Sequence, residues 1–195
     1  FKRVADTVSE LAVRNGGKLV LTYHAAEFSR EPSDDARHEP QLRADLLERS
    51  ARFFDLGFQY CDALGSGILL VSETQLPPKP GSPRIRIGDR PDEVIETLGG
   101  RKSGICWDTG HYILSVERLG VAPDPAPAFV RGVTHMHIHD VVDSVDHRPL
   151  TPVSARVARY VHQAVSTGGV KSITLEYDYR LDDAAPGETE CDRVF

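Results

Sequence analysis

Hydrophobic residues follow two patterns that alternate along the chain: short uninterrupted runs and longer segments with helical spacing. The apolar runs predict strands at 18–24, 67–73, 104–108, 132–140 and 172–178. The helically spaced segments predict helices at 1–14, 41–65, 91–100, around 112–119 and at 152–167. Continuous apolar strands between helices indicate a parallel sheet that is buried on both faces. We therefore predict a single α/β domain over residues 1–195 with about five βα units.

Two segments that are rich in polar residues, proline or glycine predict loops. These are "SREPSDDARHEP" (29–40) and "TQLPPKPGSPRIRIGDR" (74–90). The aromatic residues Trp107, Phe53 and Phe54 lie in predicted strand and helix segments, and we expect them in the core rather than at a substrate site.

The composition is that of a globular protein, with 40% hydrophobic and 27% charged residues. A formal charge of −6 makes nucleic acid an unlikely main partner, because phosphate binding needs a basic surface.

The three cysteines have no CxxC spacing, which favours a reducing, cytoplasmic location and argues against a disulfide scaffold. No apolar stretch approaches the ~20 residues of a membrane span. Because the chain starts at Phe1 and its one methionine is Met136, we expect a piece of a longer protein. The sequence does not decide between a monomer and a homo-oligomer.

Each predicted strand ends in polar side chains that can bind a metal ion or transfer a proton. In chain order they are His24; Glu73; Asp108 with His111; His137 with His139 and Asp140; and Glu176. The carboxyl ends of parallel strands lie on one face of a sheet, where βα-barrels build their active sites. Neighbouring carboxylates repel each other unless a cation neutralises them. The sequence therefore predicts a site for one divalent ion, with Mn²⁺, Mg²⁺, Co²⁺ and Zn²⁺ all suited to carboxylate and imidazole ligands.

Simpler explanations exist for each residue taken alone. Asp108 could cap the following helix, with His111 on the helix surface. The alternation in "HMHIHD" places His135, His137 and His139 on one face of a strand, so that some of them are not ligands. Cys106 fits an inert buried thiol. The coincidence of such residues at five strand ends favours the functional interpretation.

Four segments, "GICWDTGH", "HMHIHD", "DHRPL" and "ITLEYDY", together resemble the sugar phosphate isomerase/epimerase superfamily. Its members are xylose-isomerase-like TIM barrels and include apurinic endonucleases of the endonuclease IV type. The resemblance covers about residues 18–180 and implies that the five strands correspond to strands four to eight of a (β/α)₈ barrel. On this basis the N-terminal part of the barrel lies outside the chain, since a complete barrel takes ~250 residues.

The resemblance also implies roles for individual residues. Glu73, Asp108, His137 and Glu176 would hold one divalent metal ion, and Glu73 and Glu176 would exchange a proton with a substrate carbon. Three histidines would bind substrate, namely His24, His111 and His147. The implied protein is an isomerase or epimerase of carbohydrate metabolism. It would act on a small sugar, sugar phosphate or polyol through a metal-stabilised enediolate.

Two other functions are compatible with the same residues. One is a zinc-dependent phosphodiesterase of the apurinic-endonuclease type, which would use several Zn²⁺ ions. The acidic charge counts against it, as does Val145, which stands where that branch has an aspartate; Asp146 comes one residue late. The other is a partial barrel that has kept the motifs without catalysis.

Overall fold

A computed structural model describes residues 1–29, 39–65, 67–101 and 103–176, which form six helices and nine strands. The helices are α1 (Lys2–Asn15), α2 (Glu39–Ala63), α3 (Pro91–Leu98), α4 (Thr109–Leu119), α5 (Pro127–Gly132) and α6 (Ala155–Val165). The strands are β1 (Leu19–Tyr23), β2 (Glu27–Ser29), β3 (Ile68–Glu73), β4 (Arg84–Arg86), β5 (Gly104–Asp108), β6 (Val133–Ile138), β7 (Asp140–Val142), β8 (Val145–Arg148) and β9 (Ser172–Leu175).

Five of the strands form one parallel sheet in the order β1-β3-β5-β6-β9. Each strand therefore pairs with the next sheet strand along the chain, and helices flank the curled sheet. These are the five strands that the apolar runs predicted, so the mixed α/β class and the alternation of strands and helices are confirmed. The arrangement is compatible with part of an α/β barrel.

Two short strands were not predicted. β4 lies within the predicted loop 74–90, and β2 lies just before the predicted loop 29–40, with which it shares Ser29. β2 pairs antiparallel with β4, where Ile85 is buried beside Leu46 and Glu27 binds the guanidinium groups of Arg84 and Arg86. A strand of three residues is too short to show the alternation of apolar and polar side chains that predicts a strand. This pair of strands also depends on contacts between distant parts of the chain. Residues 30–38 of the first predicted loop lie outside the described residues.

The region after β5 and β6 also differs from the prediction. Helix α4 begins at Thr109 rather than near 112, because Asp108 caps it. Helix α5 and the β7–β8 hairpin were not predicted. The hairpin turns at Asp143 and Ser144, whose φ angles are 52° and 58°. Positive φ at both turn positions is typical of a tight hairpin turn. β6 ends at Ile138, two residues before its predicted end. β9 ends at Leu175, and positions 177 and 178 of the predicted strand lie outside the described residues.

An aromatic cluster between the sheet and the helices holds β5 in place. Its rings have centroids 5.0 to 6.0 Å apart and belong to Trp107, Tyr112, Phe129 and Tyr160. Each of them is at most 2% exposed. Side chains alternate along a strand, so that Trp107 packs on the helices while its neighbours Cys106 and Asp108 face the other side of the sheet. Phe54 is buried as predicted, but Phe53 is half exposed, so its assignment to the core was wrong.

Candidate metal centre

The carboxyl ends of the parallel strands bring together the four residues predicted to bind metal. Glu73 and Asp108 end β3 and β5, His137 lies in β6, and Glu176 follows β9. One ligand atom from each of these residues lies within 4.8 Å of the corresponding atoms of the other three. Glu73 and Asp108 are buried, and the Glu176 side chain is 39% exposed. The strand order thus builds a compact group of three carboxylates and one imidazole.

His137 is at the centre of this group. Its Nδ1 atom lies 3.0 Å from Glu176 Oε2, 3.4 Å from Glu73 Oε1 and 3.9 Å from Asp108 Oδ2. Although these atoms are close, His137 Nδ1 and Glu176 Oε2 are both buried and make no hydrogen bond with suitable geometry. Buried polar atoms without partners are rare in folded proteins. Here both atoms belong to the four-residue group, whose ligand atoms lie close enough together to share one ion.

The charges of these groups are strongly coupled. Burial alone would raise the pKa of Glu73, but the adjacent imidazoles of His137 and His24 lower it to about 2. Burial alone would lower the pKa of His137, but contacts with Cys106, Glu176 and Glu73 raise it far above its ordinary value. The His137 cation in turn lowers the pKa of Glu176. A protonated imidazole therefore balances the carboxylates at the position where a divalent cation would do the same.

The three histidines predicted to bind substrate all line the cavity beside these four residues, which has a volume of about 370 Å³. His24 Nε2 lies 2.8 Å from Glu73 Oε2, and this carboxylate raises the pKa of His24. His111 donates from Nδ1 to the carbonyl oxygen of Thr74 at 2.9 Å. His147 Nε2 lies 3.8 Å from Glu176 Oε1. Six of the seven predicted site residues therefore line one cavity. The seventh, Asp108, does not line it, but its Oδ2 atom lies 3.9 Å from His137 Nδ1.

Asp108 combines the two roles that the sequence left open. Its Oδ1 atom accepts a hydrogen bond from the backbone N–H of His111 at 2.8 Å, which caps α4. Its Oδ2 atom lies 3.6 Å from His111 Nδ1 and faces His137. The alternative that places His111 on the helix surface is wrong, because His111 is only 8% exposed.

His139 also belongs to the site, although the sequence named it only among the polar residues at the strand ends. It is fully buried, and its Nε2 atom lies 3.0 Å from Asp108 Oδ1 and 3.2 Å from Oδ2. Its Nδ1 atom accepts a hydrogen bond from the backbone N–H of His147 at 2.8 Å. The two imidazole rings stack, with centroids 4.4 Å apart. Both ring nitrogens are thus in use, and His139 fixes the Asp108 carboxylate and the position of His147.

The sequence contained one indirect signal for this role. Gly110 lies two residues after Asp108, and a Cβ atom there would be 2.0 Å from Cε1 of His139. A glycine inside the first turn of a helix lowers helix stability, so its presence indicates a close neighbour. Which neighbour that is depends on the hairpin that returns after His139, and the hairpin was not predicted.

The predicted alternation of histidines is only partly correct. His135 and His137 share one face of β6, with ring centroids 5.0 Å apart. His139 lies beyond the end of the strand. His135 contacts Ser172 Oγ at 2.7 Å, next to the buried thiol of Cys106, whose pKa burial raises to about 12. Cys106 is buried as expected, and its inertness stays a prediction.

Two comparisons with known proteins found no match for this chain. No protein-family model and no curated protein matches it. Within the described residues, no helix is long and apolar enough to cross a membrane.

Proposed function

We propose that the chain is a metal-dependent isomerase or epimerase of a small sugar, sugar phosphate or polyol, built on part of a xylose-isomerase-like TIM barrel. The observation that carries the proposal is the convergence of Glu73, Asp108, His137 and Glu176 at the ends of parallel strands. The four sequence segments that resemble the sugar phosphate isomerase/epimerase superfamily supply the reaction class. The cavity beside these residues has room for a small polyol.

The donor set fits one divalent ion. Three carboxylates and an imidazole are the ligands that Mn²⁺, Mg²⁺, Co²⁺ and Zn²⁺ accept. The unpartnered atoms of His137 and Glu176 are the groups that such an ion would satisfy. When bound, the ion supplies Lewis-acid polarisation of substrate oxygens.

The two glutamates are suited to exchanging a proton with carbon. Both line the cavity, but the side chain of Glu176 is 39% exposed whereas that of Glu73 is 3% exposed and bonded to His24. Glu176 is therefore the more accessible base, and Glu73 is the group that His24 holds in a fixed orientation. His111 and His147 offer ring nitrogens to substrate hydroxyls from the wall formed by α4 and β8.

Exchange of hydrogen with solvent tests this reaction. The protein is incubated in D₂O with Mn²⁺ and a panel of aldoses, ketoses and their phosphates, and the products are followed by NMR. We expect deuterium at the carbon next to the carbonyl of one substrate. Loss of a general base lowers rates by about 10²–10⁴-fold, so we expect a fall of this size in Glu176→Gln. The exposed Glu10→Gln variant should retain the wild-type rate. No exchange by metal-loaded protein, or equal exchange by Glu176→Gln, would overturn the proposal.

One observation favours the phosphodiesterase as a second candidate. Asp146 Oδ2 lies 3.2 Å from His147 Nδ1 and 3.9 Å from His111 Nε2, so the carboxylate that comes one residue late in the sequence still reaches both histidines. These residues would form a second metal site beside the first. Close to three Zn²⁺ ions per chain, together with cleavage of DNA at an abasic position, would support this candidate. One ion per chain without cleavage would exclude it.

A further inference from the structure

A second cavity adjoins the candidate metal centre and differs from it in charge. It has a volume of about 470 Å³ and lies between the loop from Leu76 to Ser82 and the tip of the β7–β8 hairpin. Leu76 and Arg86 line both cavities, so the two cavities are neighbours. Asp146 lines the second cavity, and its neighbour His147 lines the first.

Cationic side chains dominate the second cavity. Four of its lining residues are positively charged: Lys79, Arg84, Arg86 and Arg118. Only two described carboxylates lie against this group. Glu27 is shared between Arg84 at 3.0 Å and Arg86 at 3.1 Å, and Asp146 faces His111 and His147. The cavity therefore carries an excess of about two positive charges.

Two of the cations are held in place by backbone carbonyl oxygens. Arg118 donates to the carbonyl oxygen of Pro77 at 2.7 Å and to that of Ser144 at 3.0 Å, so it joins the two walls of the cavity. Arg86, which also binds Glu27, donates to the carbonyl oxygen of Leu76 at 2.9 Å and lines both cavities. No described carboxylate pairs with Lys79. Charged donors that are already positioned lose little conformational entropy when they bind an anion.

We infer that this cavity binds the phosphate group of a phosphomonoester substrate, whose carbon chain extends past Arg86 to the metal centre. The inference rests on the proposed function and adds to it the class of substrate. A phosphomonoester carries about two negative charges at neutral pH, which matches the excess charge of the cavity, whereas a carboxylate carries one. Guanidinium groups also match the geometry of phosphate oxygens.

Binding of inorganic phosphate to the purified protein tests the inference without requiring the sugar. Calorimetric titration at low ionic strength should show phosphate binding that weakens by at least tenfold in a Lys79→Gln/Arg84→Gln variant. Both side chains are on the surface, so the variant should fold, and circular dichroism verifies this. Lys171→Gln is the control, because it also removes positive charge. Lys171 lies immediately before β9, at the opposite end of the strands from the cavity, so this variant should bind phosphate like the wild type.

Three outcomes would overturn the inference: no phosphate binding by the wild type, unchanged binding by the double variant, or acetate bound as tightly as phosphate. Metal content measured on the same samples separates this inference from the proposed function. Metal bound without phosphate rejects only the phosphate subsite. Phosphate bound without metal retains the anion site but rejects the metal-dependent reaction.

Discussion

Replacing Gly110 with alanine tests how tightly the candidate site is packed. Gly110 is in the first turn of α4, and the added methyl group would lie 2.0 Å from Cε1 and 2.4 Å from Nδ1 of His139. The ring of His139 is fully buried and stacked on His147, so it cannot move without losing its contact with Asp108. The substitution therefore acts on the site through a single displaced side chain.

The expected loss of stability follows from three contributions. Overpacking a buried position costs about 1–3 kcal/mol. A buried carboxylate that loses its hydrogen-bond partner adds about 1–3 kcal/mol. Alanine improves helix propensity over glycine by about 0.5–1 kcal/mol, which opposes the other two. We expect a net loss of roughly 1–5 kcal/mol in the free energy of unfolding.

Urea denaturation followed by circular dichroism measures this loss. Gly17→Ala is the matched control, because its new Cβ would have only Asn15 O within 4 Å, at 3.9 Å. A surface substitution of this kind changes stability by about 0.5 kcal/mol or less. If Gly110→Ala is as stable as the wild type, or more stable, the close packing of His139 against α4 is refuted.

Three further predictions concern charged side chains. Arg43 binds the buried carboxylates of Asp89 and Glu93. Arg43→Leu leaves both carboxylates unpaired, so it should lower the free energy of unfolding by about 3–5 kcal/mol. Urea denaturation measures this, and a loss below 1 kcal/mol would contradict it. The pKa of His137 is raised, and the imidazole must lose its proton to bind a metal ion. Metal affinity measured by calorimetry should therefore rise from pH 6 to pH 9. An affinity that does not change over this range would argue against His137 as a ligand. The pKa of Glu73 is lowered to about 2, so its contribution to stability is present above about pH 4.5 and is lost as the pH falls towards 2; Glu73→Gln should show a smaller loss of stability over this range than the wild type.

The sequence predicted the central sheet because each of its strands has its own local signal. The run from Gly104 to Asp108 is buried along its whole length, and the strand ends there in a residue that also starts a helix. The residues at the strand ends could be predicted to meet for the same reason, since a parallel sheet places its carboxyl ends together. No knowledge of side-chain contacts was needed for this step.

The parts that were not predicted depend on contacts between distant segments. β2 and β4 have three residues each, and they are held by Ile85 in a small buried cluster and by Glu27 between two arginines. The role of His139 depends on the hairpin that brings His147 back over it. Neither arrangement leaves a periodic pattern in the sequence, because each is formed by a few tertiary contacts.

Calorimetric titration of the purified chain with Mn²⁺, after removal of bound metal, tests most directly whether Glu73, Asp108, His137 and Glu176 form one metal centre. We predict a stoichiometry near one ion per chain in the wild type. Loss of a residue that only supports a metal ligand lowers metal affinity by about 10–100-fold. Glu176→Gln removes a ligand itself, so its affinity for Mn²⁺ should fall by at least this much. Glu10→Gln should bind Mn²⁺ as the wild type does. A folded chain that binds no divalent ion, or a Glu176→Gln variant that binds Mn²⁺ with unchanged affinity, would contradict the four-residue centre.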